Sequence, residues 1–247
     1  MERSPARRPD REGREKGLAY ALWLPRHERS PATQRPGVVI VHGAGSRKEN
    51  HADFARLATA AGWAALAFDL PGHGDSEPPM SGAAADDVVA MARFLGSQEG
   101  VDPDRVAVRG SSLGGFLAII AAASSRELAG VIAICPASQD HLAGGLRRGG
   151  LGMRVGDPIE LEAWLLAQDI GRAVEHIAPR PLILMHAEGD TQVPSDHTER
   201  LYERSGEPRQ LVIAPGGAHQ TVQHDPELQG AALRWLEREL AVRESSR

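Results

Sequence analysis

The run Gly110-Ser111-Ser112-Leu113-Gly114-Gly115 fits the pattern G-x-S-x-G, with Ser112 at its centre. Glycines two residues before and two residues after a serine leave no Cβ to crowd a sharp strand-to-helix turn. The hydroxyl can then stand at the apex of that turn. The chemistry this suits is nucleophilic attack. A serine hydroxyl is weak in that role until a neighbouring base takes its proton, and the base in turn needs an acid to orient it. Ser111 is the rival nucleophile, but it lacks the preceding glycine and falls off the apex. The chain offers ten histidines as bases. His219 stands on the loop Ala214-Pro215-Gly216-Gly217-Ala218-His219, from which a ring can reach into a site. His224 is its rival, nearer the start of the last helix. For the acid, Glu188 and Asp190 share the loop Ala187-Glu188-Gly189-Asp190-Thr191-Gln192-Val193-Pro194.

These residues need strands and helices to bring them together, and the chain alternates accordingly. Short apolar runs predict strands at Leu18–Leu24, Gly37–Val41, Trp63–Phe68, Val106–Arg109, Val131–Cys135, Pro181–His186 and Gln210–Ala214. Most lack polar alternation, as expected where helices cover both faces of a parallel sheet. Helical spacing predicts Ala52–Ala61, Ala84–Leu95, Leu113–Ser124, Leu161–Ile177, Ser195–Arg204 and Pro226–Val242. The resulting fold class is α/β, a doubly wound, mostly parallel sheet with helices on both faces. Ser112 follows one strand, Asp190 the next but one, and His219 the last. Sites in such sheets form at the carboxyl ends of the strands.

Two further motifs make the chain resemble the α/β-hydrolase family, over Leu18–Leu240. His42-Gly43-Ala44-Gly45 follows the second predicted strand, and Asp69-Leu70-Pro71-Gly72-His73-Gly74-Asp75-Ser76 follows the third. The resemblance implies that the backbone N–H groups of Ala44 and Leu113 form the oxyanion hole, with His42 shaping the loop. It implies that Asp69, His73 and Asp75 are scaffold residues bracing neighbouring loops rather than metal ligands. The family order Ser…Asp…His implies a triad of Ser112, Asp190 and His219. The acid loop departs from the family pattern at Ala187, where glycine is usual. His186 reads as a satisfied core histidine. His27, His51, His141, His176 and His197 have nothing beside them in sequence to recommend them.

The function implied is a serine hydrolase that cleaves carboxylic esters of small or medium acyl groups through an acyl-enzyme on Ser112. The same triad serves an acyl thioesterase or a small amidase or peptidase, so those alternatives stay open. A histidine base implies activity that rises with pH through the neutral range. A non-catalytic binding protein of this fold is the reading from another class; it would be expected to lack a triad member, and here all three are present.

Composition limits the partners. The 247 residues are 41% hydrophobic and 25% charged, with a net charge of −5, so no attraction to nucleic acid follows. All but two of the basic residues, Lys16 and Lys48, are arginine. The longest apolar run, Phe116–Ala123, is far short of the ~20 residues of a membrane span. The lone Cys135 excludes an internal disulfide and reads as buried packing. No cofactor or metal is expected; the partner is a small-molecule acyl substrate. Residues 1–17 read as a disordered tail with no signal-peptide core, which makes a cytoplasmic location the expectation. Residues 18–247 read as one domain with a glycine-dense lid insertion at about 137–180. Leu113, Leu142, Leu146, Leu151, Met153 and Trp164 are its candidate apolar walls, and Arg147 and Arg148 read as a solvated pair.

Overall fold

The computed structural model describes residues 7–25 and 34–245, with side chains to 243. Its elements run β1 (Arg11–Glu15), β2 (Leu18–Trp23), β3 (Arg35–Val41), α1 (Ala52–Ala60), β4 (Ala64–Phe68), α2 (Ala84–Gly96), β5 (Val101–Ser111) and α3 (Leu113–Ser124). There follow β6 (Val131–Ile134), α4 (Gln139–Arg147), α5 (Pro158–Ala167), α6 (Ile170–Ala173), β7 (Leu182–Ala187), α7 (Ser195–Arg204), β8 (Arg209–Ala214), α8 (Thr221–His224) and α9 (Pro226–Ser245). The strands form one sheet in the order β1-β2-β4-β3-β5-β6-β7-β8. From β4 to β8 every neighbouring pair is parallel, and β1–β2 and β2–β4 are antiparallel.

The apolar runs explain the layers. Successive side chains of a strand point to opposite faces. Val39 and Val41 pack on one side with α2, α3 and Leu201 of α7, while Val38 and Ile40 pack on the other with Phe54 of α1 and Leu233, Leu236 and Leu240 of α9. Each fully buried side chain of this size contributes roughly 1.5–3 kcal/mol. Arg180 is a polar staple in this core. Its guanidinium donates to the carbonyls of Ala122 and Ser125 at the end of α3 and to that of Leu128, which suits the negative pole of a helix. No helix among the described residues is long and apolar enough to cross a membrane.

Three sequence expectations are corrected. Within the expected tail, residues 11–15 form β1, an edge strand paired in register with β2 from Arg11↔Leu22 to Glu15↔Leu18. The hairpin closes at Lys16-Gly17, both at positive φ. Residues 1–6, and His27, lie outside the described residues. The single helix expected over Leu161–Ile177 is broken into α5, α6 and a 3-10 turn, because Gln168 is extended and the Asp169 carboxylate caps the Arg172 amide. The strand expected at Val106–Arg109 extends to Val101 and Ser111, with Pro103 accommodated where the ladder to β3 shifts register.

The insertion between β6 and β7 folds back on the core. Trp164 meets the Phe116 ring edge-on. Arg154 exchanges backbone hydrogen bonds with Gly72 and Met80, and Val155 bridges to Met80.

Candidate active site

The sheet order reverses at β3: the chain leaves it for β4 on one side and later returns to β5 on the other. That reversal opens the crevice in which α/β sheets place ligands. The His42-Gly43-Ala44-Gly45 loop leaves β3 there, and Ser112 leaves β5. Ser112 has φ 55° and ψ −116°, a conformation that L-residues rarely adopt. The glycines around it are steric requirements. A Cβ on Gly110 would lie 2.0 Å from the Gly114 carbonyl oxygen, and one on Gly114 would lie 2.2 Å from that of Val41. The backbone is locked from both sides, since the Ser112 amide donates to Ile134 and its carbonyl accepts from Phe116 and Ala137. Strain of this kind costs roughly 1–3 kcal/mol and persists only where the surroundings impose it. The N–H groups of Ala44 and Leu113 donate to no group among the described residues. The latter begins α3, so a helix N-terminus adds its partial positive charge.

His219 and Asp190 meet across the ends of β7 and β8, with Nδ1 of His219 2.6 Å from Oδ2 of Asp190. The other carboxylate oxygen accepts from the Gln192 and Val193 amides at 2.8 and 3.1 Å. Burial opposes charge on Asp190, but the His219 hydrogen bond and these two amides outweigh it and hold the carboxyl below its usual range. Glu188, the rival acid, is exposed and accepts from the Gly216 amide at 3.4 Å. The rival base His224 is turned away, with its Nδ1 2.7 Å from Asp53.

Two neighbours of Asp190 escaped sequence reasoning. His186 is a satisfied core histidine as expected, bonded to Thr198 and Val193, and its Nε2 also lies 3.2 Å from Asp190 Oδ2. Cys135 is more than packing: its Sγ, Asp190 and His219 lie within 4.8 Å of one another. Burial first, and then the Asp190 carboxylate, push the Cys135 thiol up to about 12. It thus sits protonated beside the acid. No local motif announces this, because Cys135 and Asp190 are brought together only by the β6–β7 pairing.

The loop after β3 is held by imidazoles acting as acceptors. Nε2 of His42 accepts from the Leu70 amide at 2.9 Å while its Nδ1 donates to the Gly43 carbonyl at 2.7 Å. Nε2 of His73 accepts from the Gly45 amide at 3.1 Å. Burial lowers His42 to about 4, with the Gly43 carbonyl working partly against it, so the ring is neutral. Asp69, fully buried, accepts from the Lys48 amide and ammonium and from the Asp75 amide. Asp69 and His73 therefore brace neighbouring loops, in the way the family resemblance implies.

A cavity of about 300 Å³ opens above these groups, lined by Ala44, Ser111, Ser112 and His219, with Ser111 Oγ buried and unpartnered. Of the expected apolar walls, Leu142 and Leu151 line it, while Leu113 is buried in the core and Leu146, Met153 and Trp164 pack against that core instead. Much of the remaining lining is polar or glycine, including His141, Arg148 and Gln192. His141 had no sequence neighbour to recommend it. Its signal was helical spacing, for His141 and Gly145 fall at i and i+4 on α4 and Arg148, which caps its end, at i+7.

A strained serine, a histidine–aspartate pair and free amides gathered at the carboxyl ends of a parallel sheet define a hydrolase-type site. The chain belongs to the alpha/beta hydrolase family, whose model matches residues 38–177. It is 29% identical over 197 residues to an uncharacterised protein of Mycobacterium tuberculosis, covering 78% of this chain and 64% of that protein's length. Among solved structures, it resembles the alpha/beta hydrolase GrgF from Penicillium sp. sh18 with a TM-score of 0.75 at 20% identity, covering 91% of this chain and 94% of the other. It also resembles Est1E from Butyrivibrio proteoclasticus, determined with ferulic acid bound, with a TM-score of 0.72 at 20% identity, covering 91% and 96%.

Proposed function

We propose that the chain is a serine hydrolase that cleaves carboxylic esters of small or medium acyl groups. The reading is carried by the 2.6 Å contact of Asp190 with His219, which lines the same cavity as the strained Ser112. Oγ of Ser112 attacks the acyl carbonyl carbon while Nε2 of His219 takes its proton. The N–H groups of Ala44 and Leu113 hold the oxyanion, a contribution worth about 10²–10³ in rate per donor. The imidazolium then returns the proton to the leaving alcohol as the carbonyl re-forms, giving the acyl-enzyme. Water gives a proton to His219 and its oxygen attacks the acyl carbon; collapse releases the acid and restores Ser112. Asp190 stays ionised and fixes the tautomer in which His219 presents a bare Nε2.

A fluorophosphonate probe tests this directly. An adduct on Ser112, together with loss of p-nitrophenyl acetate hydrolysis in Ser112→Ala, is the expected result. A Ser112→Ala protein that still hydrolyses the ester overturns it. Presenting one acyl group as ester, thioester and anilide identifies the leaving group; turnover confined to the thioester or the anilide would displace the ester reading.

A further inference from the structure

The cavity above Ser112 carries an electrostatic asymmetry. Acids outnumber bases in the whole chain, 33 to 28. Yet no carboxylate-bearing residue lines the cavity among the described residues, and one arginine does, Arg148. Its neighbour shows what an ordinary surface arginine does here: Arg147 pairs with Glu162 at 2.7 Å. Arg148 makes no ion pair and no side-chain hydrogen bond among the described residues, and its guanidinium lies over Gly144. Both members of the pair are exposed, as expected; Arg147 is neutralised by Glu162, and Arg148 is among the residues that line the cavity.

Helix α4 aims this group. His141 and Gly145 share one face of the helix, Arg148 continues that face as the C-terminal cap, and all three line the cavity. Gly145 presents no side chain between the other two, so the face is polar at both ends and open in the middle. Two turns separate His141 from Arg148, about 10 Å along the axis. Arg148, His219 and Asp190 all lie near enough to His141 to act on it electrostatically. Its own amide caps on Ser138, and its ring makes no hydrogen bond among the described residues. Gln192 adds a further polar side chain to the lining. A neutral acyl chain would leave this guanidinium unused and cover a polar surface with hydrocarbon, which gains little. A carboxylate or similar anion would meet a fork of donors matched to it.

The geometry points to Arg148 as an anion-recognition residue that selects esters carrying a negative charge remote from the scissile carbonyl. This rests on the ester-hydrolase reading above and names the substrate class of that site. In such an ester, the carboxylate sits at the Arg148 rim with His141 and Gln192 beside the spacer, while the carbonyl sits at Ser112.

The test has a kinetic arm and a binding arm. The first measures kcat/KM for p-nitrophenyl hemisuccinate against p-nitrophenyl butyrate, and for 4-acetoxybenzoate against phenyl acetate, so that the charge lies on the acyl or the alcohol side. A preference of about tenfold for the charged member of at least one pair is expected at low salt, shrinking as salt rises. Arg148→Gln should bring that ratio to about one, and Arg147→Gln should leave it unchanged. The second arm titrates the same esters into Ser112→Ala by calorimetry, with and without Arg148→Gln. Tighter binding of the charged ester that disappears with Arg148→Gln supports the site even if turnover is lacking. Equal affinity and equal kcat/KM for charged and neutral esters overturn it. Discrimination in binding with no turnover and no fluorophosphonate adduct would overturn the hydrolase reading and leave the anion site standing.

Discussion

Nη2 of Arg109 donates to the carbonyl oxygen of Gln223 at 2.8 Å, so the strand that leads into Ser112 is tied to the short helix that follows His219. The guanidinium is fully buried and has no carboxylate within ion-pair distance among the described residues. It also donates to Gln229 and to Nδ1 of His51, and it lies 4.8 Å above the Phe54 ring. Burial pulls it down to about 10, which still leaves it charged at neutral pH. Arg109→Met would relieve a buried charge but strand three acceptors, each worth roughly 1–3 kcal/mol when left unsatisfied. The strand loses more than it gains. A net destabilisation of about 2 kcal/mol or more is expected from urea unfolding, together with a lowered kcat. Arg109→Lys should recover only part of both, since an ammonium lacks the planar fork. A fully active, fully stable Met variant would show that this tie holds nothing in place.

Ser112→Gly should abolish ester hydrolysis and stabilise the fold. The φ of 55° at Ser112 is strained for serine and easy for glycine. Relief of about 1 kcal/mol would raise Tm by about 2–4 °C in a domain of this size. Differential scanning calorimetry decides it. A lower Tm than the parent would mean that the serine conformation is relaxed.

Asp190→Asn keeps the shape of the acid and removes its charge. The amide nitrogen can donate where the carboxylate accepted, so it favours the wrong His219 tautomer. A fall in kcat of about 10⁴ is expected, with the unfolding midpoint little changed. A fall of less than tenfold would move the acid role elsewhere.

Acid should weaken the fold through its neutral histidines. His42 stands at about 4 in the folded chain, chiefly through burial, and burial also lowers His51 and His73. An unfolded imidazole titrates near ~6.5. Between the two values the unfolded chain binds more protons, so this stability is complete above the unfolded value and is lost as pH falls toward the folded one. His42 alone should remove about 2 kcal/mol between pH 7 and pH 5. Urea unfolding at the two pH values measures the loss, which His42→Gln should reduce. A loss as large in His42→Gln as in the parent would clear His42 of the role.

Much of this was legible along the chain. The parallel strands show as apolar runs because both faces are covered, and the elbow shows because Gly110 and Gly114 face clashes that only glycine avoids. Asp190 and His219 follow strand ends, which periodicity locates well. Strand β1 was illegible for the opposite reason. As an exposed edge strand of sequence Arg-Glu-Gly-Arg-Glu it has no apolar face to display, and only its pairing with β2 defines it. The break at Gln168-Asp169 depends on a single cap, which competes with a continuous helical pattern. Cys135 reaches the site through tertiary packing that leaves no mark on its neighbours in sequence, and His141 shows only in its spacing to Gly145 and Arg148.

The buried Lys48 has a practical consequence. Its ammonium is held by Asp69, Asp75 and Glu49. Burial works against its charge, and these three carboxylates more than compensate, so the proton is bound more tightly than usual. The only other lysine of the chain, Lys16, is exposed at the tip of the β1–β2 turn. An amine-acylating reagent therefore finds a single reactive lysine side chain. A dye or a surface linker attached there would present every copy in the same orientation.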